Sequence, residues 1–257
     1  MKNIKLLSVR KTIQEQAPSF NFYFEQIIRS SGIGDFFNYL SERTNIYVFS
    51  GLIRNFLDGF LDNRDIDIVL GKRIEFPFNL LQDCTLSINK FGGAKILTAK
   101  CYTIDIWFLD DTWGLKKQYN KKRTTHGLIS TAFFNFSSIL YDYNRKRFVI
   151  SDDFCEFAVE KVMNIVNPDN PSVERCIVNT MYYSDYYEYT IGQSLRKWIV
   201  KHYDEKMSFR NAQISRFGEE VMDNQMIKSF VTLCSNFKIK DCTIELYNNN
   251  KIFTIKF

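Results

Sequence analysis

The sequence predicts an α+β chain, with a mixed sheet and flanking helices first and a mainly helical region ending in a β-hairpin after it. Three observations predict this. Apolar residues recur at helical spacing over 20–43 and again over most of 152–237. Short β-branched or aromatic runs occur at 46–49, 65–70 and within 85–109. Two further runs, 243–247 and 251–255, flank Asn248-Asn249-Asn250 as a hairpin would. A chain of 257 residues can bury a sizeable core, and the change of pattern divides it into 1–150 and 151–257.

Taking the elements in order, 20–43 reads as two helices broken at Ser31-Gly32. Ile46-Tyr47-Val48-Phe49 is a strand ending in Ser50-Gly51, after which helical spacing returns in 52–57 and stops at Asp58-Gly59. Asp65-Ile66-Asp67-Ile68-Val69-Leu70 is an apolar strand carrying two acids, with Gly71 as punctuation. Strand or hairpin structure follows from 85 to 109, turning at Gly92-Gly93.

Composition narrows the function. Apolar residues make up 45% and charged residues 25%, as in an ordinary globular protein. The net charge of +5 permits an anionic partner without requiring one. No apolar run has the length of a membrane span, and Met1-Lys2-Asn3-Ile4-Lys5 lacks the features of a secretory signal. Six scattered cysteines without a C-x-x-C pair, and two histidines, argue against structural zinc. We expect reduced thiols and a cytoplasmic location.

The chemistry points to Asp65 and Asp67. Residues i and i+2 of a strand face the same way, roughly 6–7 Å apart. Two carboxylates so placed beside an apolar core repel each other unless a cation neutralises them. Magnesium suits them, since it takes one or two carboxylates and completes its shell with waters and phosphates. A solvated D-x-D pair on a strand edge is the simpler alternative. Upstream, Ser50 and Gly51 join a strand to a helix, where free backbone N–H groups favour phosphate, and Arg54 one turn on can add a phosphate contact. Asp105, alone in the apolar run Ile104-Asp105-Ile106-Trp107-Phe108, is either a satisfied core acid, a third metal ligand or a proton acceptor.

These segments resemble the polymerase-β-type nucleotidyltransferases, most closely the head and neck region of bacterial CCA-adding enzymes and poly(A) polymerases. Residues 47–59 resemble the family's strand followed by G-G-x-x-R-D, and Asp65-Ile66-Asp67-Ile68-Val69 resembles its D-x-D strand. Phe91-Gly-Gly-Ala-Lys-Ile96 leading to Ile104-Asp-Ile106 is similar to its hairpin and later acidic strand. Ser137-Ser-Ile-Leu-Tyr-Asp142 with Phe148-Val-Ile-Ser-Asp152 is similar to the segment before the helical neck. The resemblance spans residues 45–183 and implies transfer of a nucleotide from an NTP to an acceptor hydroxyl, with two magnesium ions and an RNA, above all tRNA, as acceptor.

The departures are specific. Ser50 stands for the first glycine of the pair and Asn55 for the acid after the arginine. The family's R-R-D falls at Thr131-Ala132-Phe133 and is absent. Of its base-reading E-D-x-x-R, at 171–175, only Arg175 remains, and later arginines are Val178 and Met181. The resemblance therefore implies the transfer chemistry without the C-and-A selectivity. Lys116, Lys117, Lys121, Lys122 and Arg123 around Tyr119, and Arg196, Lys197 and Lys201 beside Trp198, are the candidate RNA contacts; a solvated charged loop is the alternative. Two rival functions stay open: a toxin or defence enzyme that places the nucleotide on tRNA or on protein, and an inactive nucleotide-binding module.

Overall fold

The computed structural model describes residues 2–61, 63, 65–88, 93–117, 122–170, 172–248 and 251–257. The chain forms two compact units, Met1–Ala132 with Phe136–Val159, and Phe133–Asn135 with Glu160–Phe257. The first unit holds nearly all of the helix Asp152–Glu160.

The first unit starts with three helices, α1 (Lys2–Glu15), α2 (Ala17–Ser31) and α3 (Gly34–Arg43). Gly32 stops α2 in the left-handed region, at φ 82°, the break expected at Ser31-Gly32. Then come β1 (Ile46–Phe49), α4 (Gly51–Leu57), β2 (Asp65–Leu70), β3 (Cys84–Ile88), β4 (Ala94–Thr98) and β5 (Thr103–Phe108). The unit closes with α5 (Trp113–Lys117), α6 (Thr125–Ile129), β6 (Ile139–Asp142), β7 (Arg147–Ile150) and α7 (Asp152–Glu160).

Its seven strands run in the order β3-β4-β5-β2-β1-β6-β7, with β2 and β5 parallel and the other neighbours antiparallel. The expected hairpin of 85–109 is three strands. Gly92 of its expected turn lies outside the described residues; the second reversal is at Thr98–Tyr102, where the Thr98 amide donates to the Tyr102 carbonyl at 2.9 Å.

Alternation along the strands gives the sheet two unlike faces. Ile66, Ile68, Ile104 and Ile106 are wholly buried on one face. Aromatic packing from α2, α3 and α4 belongs to that face: Phe20 meets Tyr141 at 4.9 Å and Phe56 at 5.3 Å, and Phe24 meets Phe37 at 5.4 Å. The other face is covered only in part. Tyr47, Val69, Leu140 and Val149 pack under Leu115 of α5 and Leu128 and Ile129 of α6, with Phe49 and Trp107 at the margin.

Edge strand β7 is closed by α1. The Arg10 guanidinium donates to the Ile150 carbonyl, and the Phe148 amide donates to Gln14 Oε1 at 3.2 Å. These satisfy ladder groups that no strand pairs.

The second unit contains β8 (Val162–Met163), α8 (Val173–Tyr187), β9 (Thr190–Ile191), α9 (Gln193–His202), α10 (Arg210–Phe217), α11 (Asn224–Ser235), β10 (Thr243–Tyr247) and β11 (Ile252–Lys256). The helical pattern and the terminal hairpin are both present. Asn249 and Asn250 of the hairpin's turn lie outside the described residues. The hairpin belongs to a four-stranded sheet, β10-β11-β9-β8, whose two-residue strands β8 and β9 are too short to show a period. No helix among the described residues is long and apolar enough to cross a membrane.

Candidate active site

Asp65 and Asp67 lie on β2, the middle strand of the seven. They share a face, since they are two residues apart. The parallel register with β5 sets Asp67 directly beside Asp105, about 4.8 Å away across the ladder. On the far side of β5, the antiparallel register sets Lys95 beside Asp105, and the Lys95 Nζ is 3.6 Å from Asp105 Oδ2. The line Asp67, Asp105, Lys95 therefore crosses three adjacent strands, with Asp65 one step along β2. It occupies the open half of the face whose other half is packed under α5 and α6.

Val48 is paired with Ile68 in antiparallel register. The end of β1, and the Ser50-Gly51 turn after it, thus reach the level of Asp67. Ser50 holds φ 53° and ψ −90°, a backbone conformation that a side chain disfavours. A glycine would hold it without that cost. A Cβ built on Gly51 would meet nothing within 4 Å, so this backbone faces open space.

Charge crowding follows from the register. Asp67 is half-buried, and its carboxyl is pushed up to about 7 by burial first, then by Asp105 and Asp65, with Lys95 opposing. The donor chemistry fits a hard divalent cation, which would relieve the repulsion among these carboxylates. Among the described residues no group of three or more His, Cys, Asp or Glu side chains forms a metal cage. The fit is to an ion held by one or two carboxylates with phosphate oxygens beside it, as magnesium is.

Arg54, expected at a phosphate, is instead 5% exposed. Its Nε and Nη2 donate to Asn55 Oδ1 at 3.0 and 2.6 Å, and its guanidinium lies 5.2 Å from the Phe136 ring. Asn55 then donates to Asn63 Oδ1, and Asn63 donates to the Phe60 carbonyl. The chain of contacts orders the loop that leads into β2. Asn in place of the expected acid at 55 supplies both an acceptor and a donor, which a carboxylate could not.

The basic residues separate sharply. Lys116 Nζ is 2.7 Å from Asp111 Oδ1, Arg123 Nη1 is 3.3 Å from Asp110 Oδ1, and Lys117 Nζ is 5.2 Å from the Trp113 ring. Lys122 is exposed, and Lys121 lies outside the described residues. Asp110 and Asp111, which the charge reading passed over, offset much of this cluster.

Arg196, expected at an RNA backbone, is buried instead. It is 4% exposed, and its guanidinium donates to the carbonyls of Leu233, Cys234, Asn236 and Ile239 at 2.5 to 3.3 Å, closing the C-terminal end of α11. Trp198 is also buried, with Nε1 donating to the Pro168 carbonyl and its ring stacked on His202. Lys197 and Lys201 are exposed on the same helix. Arg175 is exposed in the first turn of α8.

Lys95 was missed, although its position is implied by the hairpin. Once Thr98 and Tyr102 close the turn, residue numbers that sum to the same value face each other, and 95 meets 105.

No protein-family model and no curated protein sequence matches the chain. Solved structures do. A CCA-adding enzyme in complex with CTP is 18% identical, with a TM-score of 0.57 over 83% of this chain and 52% of its own. The Thermotoga maritima CCA-adding enzyme complexed with tRNA is 17% identical, with a TM-score of 0.56 over 83% and 51%. A tRNA-processing enzyme in an apo form is 14% identical, with a TM-score of 0.56 over 88% and 60%. The chain spans about half the length of the first two. With its mixed sheet and flanking helices, the chain has the polymerase-β-type nucleotidyltransferase fold.

Proposed function

We propose that the first unit is a metal-dependent nucleotidyltransferase that moves NMP from an NTP to an acceptor hydroxyl, an RNA 3′ end and tRNA above all, in the cytoplasm. One observation carries this reading: Asp67 stands in register beside Asp105, with Asp65 on the same face, at the level of the Ser50-Gly51 turn. The fold likeness to enzymes solved with CTP and with tRNA supports it.

Asp65 and Asp67 are the residues that would hold magnesium. A bound divalent cation neutralises triphosphate charge and lowers the pKa of an acceptor hydroxyl. The Gly51 backbone gives the triphosphate a surface without side-chain obstruction. Asp105, held by Lys95, takes the proton as the acceptor oxygen attacks the α-phosphorus and pyrophosphate leaves. Arg54 acts at a distance, by fixing the loop before β2. The protein's part is positioning and charge balance.

The test is transfer from each labelled NTP in a cell extract, with wild type and Asp67→Ala compared. Label in RNA, lost in the variant, supports the reading. Label in protein transfers the reaction to the alternative acceptor. Label and pyrophosphate release that persist in Asp67→Ala remove the mechanism.

A further inference from the structure

We propose that the outer side of α8 in the second unit is a stacking platform for unpaired nucleotides of single-stranded RNA. Arg175, Asn179, Tyr182 and Tyr186 follow one another at steps of four, three and four, so they form a single stripe along the helix. The rings of Tyr182 and Tyr186 are stacked, with centroids 5.4 Å apart and planes 16° from parallel. Tyr186 is 59% exposed. From α10, Arg216 lays its guanidinium 4.7 Å from the centre of the Tyr182 ring, and its Nε donates to Asn179 Oδ1 at 2.9 Å. Phe217 braces Tyr182 edge-on at 5.8 Å. The planar groups are therefore held in place before any ligand arrives.

Charge selects the occupant. Among the described residues neither Arg175 nor Arg216 meets a carboxylate. The acids further along α8 and at its end are engaged elsewhere: Asp185 accepts from the Thr254 amide at 2.8 Å, and Glu188 pairs with Lys256 at 2.7 Å. The exposed Tyr186 ring, backed by Tyr182, suits a flat aromatic partner, and the Arg175 and Arg216 guanidinium groups, with no carboxylate beside them among the described residues, suit an anion. A base with its phosphate is both. The platform rests on the second unit's own geometry; RNA as its occupant rests on the nucleotide-transfer reading above.

The experiment is anisotropy of a labelled single-stranded RNA of about ten nucleotides, titrated with the full chain without NTP. Tyr186→Ala is expected to weaken binding about tenfold with an unchanged melting temperature, and Tyr186→Phe to keep wild-type affinity, since stacking needs the ring and not the hydroxyl. Arg216→Gln is expected to reduce the salt slope by about one. Asp67→Asn should bind RNA as wild type does while losing transfer. If wild type binds no single-stranded RNA at low salt, or Tyr186→Ala binds as tightly as wild type, the platform is wrong. RNA binding without any nucleotide transfer by wild type would sink the enzyme reading and leave the platform standing.

Discussion

Lys95 Nζ stands 3.6 Å from Asp105 Oδ2, so the cation that steadies Asp105 also tempers the charge felt by Asp67 one strand further on. Replacing Lys95 with Met removes that influence and leaves burial and two acids acting on Asp67. The pH at which Asp67 ionises should rise, and the acid limb of the pH–rate profile should move toward alkaline pH. Lys95→Arg should restore the wild-type profile. An unmoved profile in Lys95→Met would separate Lys95 from the site.

The raised carboxyl of Asp67 makes stability depend on pH. Below about pH 4 both folded and unfolded chains hold the proton. From there to about 7 the unfolded chain releases it while the folded chain keeps it, so stability falls as pH rises and then levels off. In EDTA, the wild-type melting temperature should decline over this window relative to Asp67→Asn. Magnesium should raise the wild-type melting temperature at pH 8 and do little at pH 5, because the ion requires the ionised form.

Ser50 and Gly51 allow fold and ligand to be told apart. Ser50→Gly removes the side chain from a disfavoured backbone and should stabilise the protein by about 1 kcal/mol. Gly51→Val places carbon where the protein has none nearby, so urea melts should shift by less than about 0.5 kcal/mol. NTP affinity should nonetheless fall about tenfold, measured by calorimetry, if the triphosphate lies against this backbone. Unchanged affinity in Gly51→Val would move the triphosphate elsewhere.

Arg196 gives a prediction about stability alone. Arg196→Ala leaves four carbonyls at the end of α11 without their donor and should cost about 3 kcal/mol by urea unfolding. Arg196→Lys should recover only part of it, since one ammonium cannot span the same fork. The exposed neighbour Lys197→Ala should change stability by less than about 0.5 kcal/mol.

Much of the first unit was legible because its strands carry periodic or punctuated signals. Ser31-Gly32, the run 46–49 and the D-x-D strand fall where the pattern places them, since alternating Ile and Asp admits one register with a buried face. Other features depended on contacts distant in sequence. Helix α1 shows almost no amphipathic pattern, and its hydrogen bonds to β7 come from single polar side chains. Arg196 looks like any surface arginine until α11 and the turn after it arrive, some forty residues later. The tyrosines of α8 were visible at i, i+4 spacing, but which rings face solvent is decided by α10 and the hairpin. Arg54 shows the same limit at the site, where position one turn into a helix did not reveal burial beneath its own loop.

Among the described residues, the hydrogen bonds from helix α1 to the backbone of β7 come from Arg10 and Gln14, with no continuous ladder. Such a seal holds only while Arg10 and Gln14 stay in place. Deleting the first fifteen residues would leave the Phe148 amide and the Ile150 carbonyl bare, a template on which another molecule's strand can dock. The shortened protein should then self-associate as its concentration rises, long before its active face is disturbed.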